Sequence, residues 1–213
     1  MTEFIAARWQ DILFRSYQHT SLVIQSVAVA LIIALVIAIF AAQRPRGAAL
    51  ANALSSIGLT LPSLALLGLA IPLFGIGTVP SVVLVVFYAV LPILRNAIVG
   101  LHTVDPTVIE SARGQGMSSA AILFRIRLPL AWPIIMTGIR VATQMSMGVA
   151  AIAAYALGPG LGGYIYSGLS QIGGTNALNY TLVGTLGVVV IALIVDAILA
   201  GIQKLTTPKG ISA

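Results

Sequence analysis

The sequence predicts an all-α, polytopic membrane protein, and three observations carry that prediction. The chain is 59% hydrophobic and only 8% charged over 213 residues, whereas soluble domains are roughly 25% charged. It holds five apolar stretches, each able to cross a hydrocarbon core that takes about 20 helical residues. Its basic residues are divided unevenly among the segments that join those stretches. The absence of cysteine excludes disulfides, thiol catalysis and cysteine metal sites.

Residues 1–21 read as an N-terminal amphipathic segment. Ile5, Trp9, Ile12, Leu13 and Tyr17 fall near one helical face. That predicts a helix lying in the outer interface, with Trp9 and Tyr17 at headgroup level, or a simple anchor for the first span. A single transmembrane domain follows over 22–204, with spans at about 22–42, 57–74, 79–101, 131–157 and 181–202. The 57–74 stretch is the shortest and carries Pro62 and Pro72, which membrane helices tolerate when neighbours satisfy the freed backbone groups. The first apolar run is too long and starts too late for a cleavable signal peptide. Residues 205–213 form a short tail.

Charge sets the orientation. With the N-terminus outside, the inner segments hold Arg44, Arg46, Arg113, Arg125, Arg127, Lys204 and Lys209. The outer segments 75–78 and 158–180 hold no Lys or Arg, and Arg8 and Arg15 sit beside Glu3 and Asp11. This is the positive-inside asymmetry, which puts the C-terminus and the 105–130 loop in the cytoplasm. The net charge of +6 is thus a topology signal with some attraction to membrane lipid, and no nucleic-acid partner is expected.

The loop itself is unusual. Asp105-Pro106 is a helix start, because Asp caps free N–H groups and Pro loses nothing at the first helical position. The helix is expected to pass through Glu110 and Ala112 and break at Gly114-Gln115-Gly116. Ser118 or Ser119 then caps a second short helix carrying Ile122, Leu123, Phe124 and Ile126. Pro129 and Pro133 are expected to end that helix and open the next span. Two readings fit: an amphipathic loop lying on the membrane, or a knob with Leu123 and Phe124 at its tip that enters a groove on another protein.

The stretch ESARGQGMSSAAILFRIRLP (110–129) resembles the "EAA" loop of ABC-importer permeases. Glu110, Ala112, Gly116, Ile126, Leu128 and Pro129 fall at that family's spacing, and Ser111 departs from it. The segment LTLPSLALLGLAIPLFGIGTVPSVVLVVFYAVLPILRNAIVGL (59–101), GPGLGGYIYSGL (158–169) and the tail LTTPKG (205–210) are similar to the osmoprotectant branch, which imports glycine betaine, choline, carnitine and related solutes. Gly163 stands where that branch carries Asp. The resemblance implies a type I ABC-importer permease core in the bacterial cytoplasmic membrane. It implies that Glu110, Ala112, Gly116 and the 122–129 helix dock on a separate ATPase subunit. It also implies a second permease subunit, identical or homologous, and an extracytoplasmic substrate-binding protein.

Three ionisable residues lie inside the spans, Arg95, Arg140 and Asp196. At about 1.5 Å per residue, each sits on the order of 10 Å from its cytoplasmic helix end, so Asp196 is expected to pair with Arg140 or Arg95. The pair is either a static bridge between helices or a feature of the solute path. Residues 158–174 contain seven glycines and no charge. Gly158, Gly160, Gly162 and Tyr164 read as an outer gate on a re-entrant loop, with a flexible connector as the alternative.

No nucleophile–base pair appears, and His19 and His102 sit on opposite sides of the membrane, so no metal site is expected. The chain lacks a Gly-x4-Gly-Lys-Ser/Thr loop, which assigns ATP and magnesium to a partner and no cofactor to this chain. A secondary transporter would bring internal repeats and a coupling-ion site. An intramembrane enzyme would need a buried catalytic set. Neither is visible.

Overall fold

The computed structural model describes residues 1–207; Lys209 and the rest of 208–213 lie outside the described residues. Among the described residues the chain is helical throughout, and the elements run α1 (Thr2–Ala41), α2 (Pro45–Thr60), α3 (Ser63–Phe74), α4 (Thr78–His102), α5 (Pro106–Gly114), α6 (Ser119–Ile122), α7 (Leu128–Ile152), α8 (Gly162–Ser170) and α9 (Ala177–Thr206). A π turn, Leu123–Arg127, joins α6 to α7, and a 3-10 turn, Ala153–Ala156, follows α7. Among the described residues four helical stretches are long and apolar enough to cross a membrane, and the bent pair α2–α3 counts as a fifth where the two halves form one broken span. At one end of the bundle the His102 ring bonds the Ala42 carbonyl, and at the other the Gly77 N–H donates to the Ala156 carbonyl.

α4 is the centre of the bundle. It packs on α1, α7, α2 and α3, and its Leu84, Val85, Ala89, Ile93 and Ala97 are fully shielded. Helices in lipid gain little from hydrophobicity and associate through close packing of small residues. α1 presents such a stripe, with Val23, Ala30, Ala34 and Ala38 all at 0% exposure. The α4–α7 contact is also close. A Cβ added to Gly138 would lie 2.6 Å from the Asn96 Cβ, and one added to Gly100 would lie 3.0 Å from the Ala131 carbonyl oxygen.

Two expectations about the spans change. The 57–74 stretch is not one straight span, because α2 and α3 meet at 94° across Leu61-Pro62. Pro62 forces Leu61 into extended backbone, at φ −67° and ψ 131°. The freed Leu61 carbonyl accepts a hydrogen bond from the Tyr88 hydroxyl on α4, which satisfies a group that apolar surroundings would penalise. The first span also has no break at residue 21. α1 is a single 40-residue helix, about 60 Å long. Trp9, Leu13 and Tyr17 on the expected apolar face are exposed, and Phe4 on the other face is buried.

The glycine contact yields a direct comparison. Gly138→Ala should push α7 from α4 and cost about 1–3 kcal/mol of stability, as overpacking does. Gly148→Ala, on the same helix with nothing within 4 Å of the new methyl, should cost nothing. Thermal unfolding of the two variants in one detergent checks this. Equal midpoints would show that the α4–α7 contact is loose.

Candidate functional site: the Glu110–Pro129 loop and its supports

The loop begins as the sequence indicates. The Asp105 carboxylate accepts the Thr107 N–H at 2.8 Å and caps α5. Bonds from the Thr107 backbone and side chain hold the Asp105 carboxyl below its usual range, so the cap stays ionised. The chain turns at Gly116, whose φ is +81° with no atom within 4 Å of a would-be Cβ. Glycine is therefore required there by backbone conformation and not by space. The Ser118 hydroxyl accepts the Ala121 N–H at 3.3 Å and caps α6.

The far side of the loop differs from the expectation. Pro129 and Pro133 stop nothing, and the helix that starts at Ser119 runs through to Ile152. A proline in an α-helix loses one backbone bond and crowds the carbonyl four residues back. Here the turn before Pro129 is widened to π geometry, with Leu128 N–H bonded to the Leu123 carbonyl five residues earlier. A π turn absorbs one extra residue without ending the helix. The short helix and the next span are thus one continuous piece.

The side chains divide by face. Ala112 and Ile122 are 4% exposed and turn inward. Leu123 packs partly against the core, so the expected two-residue tip is a single residue, Phe124, at 64% exposure. Glu110 is exposed, and Ile126, Leu128 and Pro129 are half-buried. Arg127 ties the loop to α4, donating to the Leu101 carbonyl at 3.0 Å.

Of the intramembrane charges, the structure joins Arg140 to Asp196 and leaves Arg95 apart. Both Arg140 Nε and Nη2 donate to the Asp196 carboxylate at 2.9 Å, a fork-to-fork pair between α7 and α9. Arg140 Nη1 also donates to the Gln203 amide oxygen at 3.2 Å, and the Gln203 amide nitrogen donates to the Pro133 carbonyl at 3.1 Å. The Pro133 carbonyl also accepts the Thr137 hydroxyl at 3.1 Å, so Gln203 adds a second bond that ties α9 to the start of α7. Gln203 was not singled out in the sequence, although a lone amide seven residues after Asp196 lies two turns along the same face. Arg95 is exposed on α4, with no ion pair among the described residues.

At the other end, the glycine-rich segment is packed. A Cβ on Gly158 would lie 2.3 Å from the Ser81 Oγ, one on Gly160 2.8 Å from the His19 Nδ1, and one on Gly162 2.2 Å from the Ala151 oxygen. Three helices close on this strip of backbone, which removes the free-connector reading. Tyr164 is 2% exposed and donates its hydroxyl to Asp11 at 2.7 Å. Burial first, then the bond to Asp11, holds the Tyr164 phenol well above its ordinary value.

A cluster that sequence reading missed surrounds it. The Phe4 and Tyr180 rings meet edge to face at 4.9 Å, Arg8 lies over both rings, and Arg15 lies over Tyr164. Arg15 also pairs with Asp11 at 3.0 Å. These residues tie the first turns of α1 to α8 and α9. Gly163 faces Arg15, with a would-be Cβ 2.8 Å from Nη1. Only the i,i+4 Asp11–Arg15 spacing was visible beforehand.

Residues 8–207 match the family described as binding-protein-dependent transport system inner membrane component. The chain belongs to that family. The choline transport system permease protein OpuBB of Bacillus subtilis (strain 168) is 35% identical over 210 residues, covering 99% of this chain and 95% of that one. The glycine betaine/carnitine/choline transport system permease protein OpuCB of the same organism is 36% identical over 211 residues, covering 99% and 95%. In fold, the chain is similar to the inward-facing MetNI methionine ABC transporter, with TM-score 0.79 at 21% identity over 92% of this chain and 96% of that one. This inner membrane component is therefore an all-α, multi-pass transport subunit of the type I importer fold.

The ion pair gives the testable outcome. Asp196→Asn strands the Arg140 guanidinium and should cost on the order of 1–3 kcal/mol, between an exposed and a fully buried pair. The exchange Arg140→Asp with Asp196→Arg should recover part of that loss. Thermal unfolding and assembly of the single and double variants measure it. A single variant as stable as the parent would remove any role for the pair.

Proposed function

We propose that this chain is the membrane-spanning permease subunit of an ATP-driven importer for osmoprotectants and quaternary amines such as glycine betaine, choline, carnitine and proline. Its substrate class is inferred from relatives that are named for choline, carnitine and glycine betaine transport and that align over nearly the whole chain. A second reading keeps the same machinery with another small solute, such as a betaine-like amino-acid derivative. The two arginines and one aspartate within the spans would not attract a cation, and this favours selection by a separate binding protein.

The observation that carries the coupling role is the continuity of Ser119 to Ile152. The short helix that presents Phe124 is the first turn of a membrane-crossing rod, so force on it moves α7 as a lever. A separate ATPase subunit supplies that force by closing on ATP and magnesium, and it grips the Glu110–Pro129 loop. The α4 end and Arg127 form the fulcrum. α9 follows α7 through the Arg140–Asp196 pair, which borders the solute path together with Arg95. Five spans are few to enclose a path, which favours a dimer of identical or homologous permeases.

The basic loop end lies in the cytoplasm and the N-terminus outside, by the positive-inside rule. The opposite end, with Gly158, Gly160, Gly162 and Tyr164, then forms the outer gate and the surface for the binding protein. Its rigid packing suits a seal.

Phe124→Asp tests the coupling. The residue is exposed and makes no core contact in the chain, so the fold should survive. Burying a charge in the ATPase groove should weaken that contact by about tenfold or more. The expected result is a stable chain that no longer brings down the ATPase and no longer drives uptake of labelled choline or glycine betaine. Uptake and co-purification at parental levels would remove the loop from the coupling role.

A further inference from the structure

The loop end contains a cavity to which the transport cycle described above assigns no ligand. It has a volume of about 420 Å³ and lies between the end of α1, the inner face of α5 and the start of the α6–α7 rod. Arg113 and Arg127 both line it, Gln43 and Ser119 add an amide and a hydroxyl, and no carboxylate lines it. Neither arginine has an ion-pair partner among the described residues. Arg127 is held by its bond to the Leu101 carbonyl, and its Nε–H is shielded without a partner.

We propose that this cavity binds a phosphate-bearing anion, and that the anion is the headgroup of an acidic phospholipid in the adjoining leaflet. Two guanidiniums that share one enclosure and lack a carboxylate form a ready fork for phosphate oxygens. The unpartnered Arg127 Nε–H is a donor that a phosphate oxygen would satisfy. The negative end of the α1 dipole works against an anion with about half a charge, and two full charges outweigh it. The rest of the wall, including Ile39 and Ile122, is apolar. That composition suits a glycerol backbone better than a free ion. The position fits as well, because α1 is a membrane-crossing helix and the cavity sits at its last turn, where headgroups lie.

The test uses the intact chain, purified from membranes with its associated subunits, delipidated in detergent and titrated with phosphatidylglycerol under native mass spectrometry. One phosphatidylglycerol per chain should be retained, and phosphatidylethanolamine should bind markedly more weakly. Arg113→Gln should weaken retention about fivefold, the size expected for one basic residue near a lipid surface. Arg125→Gln, an exposed arginine of the same segment that does not line the cavity, should leave retention unchanged. Arg127→Gln also removes the Leu101 bond, so Arg113→Gln carries the comparison, with Arg113→Lys expected to retain most of the binding. Equal retention of the two lipids, or no change with Arg113→Gln, overturns the site. Displacement of the lipid by inorganic phosphate at equal concentration overturns the lipid assignment. None of these readouts depends on uptake, so they stand apart from the transport reading.

Discussion

The contact between α4 and α7 is the constraint on which the rest of the bundle depends. Gly100 and Gly138 let the two helices approach until side-chain Cβ atoms of one meet backbone of the other. In lipid, such closeness replaces the hydrophobic drive that holds a soluble core. Every other element is placed from this pair. α1 lies on α4 through its alanine stripe, α2 and α3 bend around Tyr88 of α4, and α9 is held to α7 by Arg140 and Asp196. The 105–130 loop hangs between the end of α4 and the beginning of α7. Its base is therefore fixed by a close helix–helix contact.

The treatment of freed backbone groups explains the two departures from regular helix. At Leu61-Pro62 the chain bends, and a tyrosine from another helix satisfies the open carbonyl. At Pro129 it does not bend, because a widened turn takes up the missing bond within the helix. Both solutions obey the rule that apolar surroundings leave no backbone polar group unpaired. Their mechanical consequences are opposite. The first makes a corner between two short helices, and the second makes one long rod whose first turn is exposed.

Polar side chains are few, and they act as fasteners between elements. Arg140, Asp196 and Gln203 join α7 to α9, and Gln203 also bonds the Pro133 carbonyl. Asp11, Arg15 and Tyr164, with Arg8 over its two rings, join the first turns of α1 to α8 and α9. A chain with five acidic residues places two of them in these fasteners and one at the cap of α5. Asp105 serves locally, whereas Asp11 and Asp196 each connect helices distant in sequence.

By itself the sequence determined what is local or compositional. Four of the five apolar runs, the helix start at Asp105-Pro106, the turn at Gly116 and a serine cap at 118 or 119 follow from backbone chemistry within a few residues, and each stands in the structure, the cap at Ser118. Asp196 was legible as a charge needing a partner. Tertiary structure alone chose Arg140 over Arg95, because helix rotation and register decide which of two equally deep arginines faces the aspartate. It alone decided that Pro129 lies within a continuous helix, since a proline reads as a stop unless the turn before it can widen. The fusion of α1 into one helix was equally hidden: Phe4, Arg8 and Asp11 find their partners only when α8 and α9 are brought against them. Local propensity names the elements, and packing between distant segments decides which faces meet.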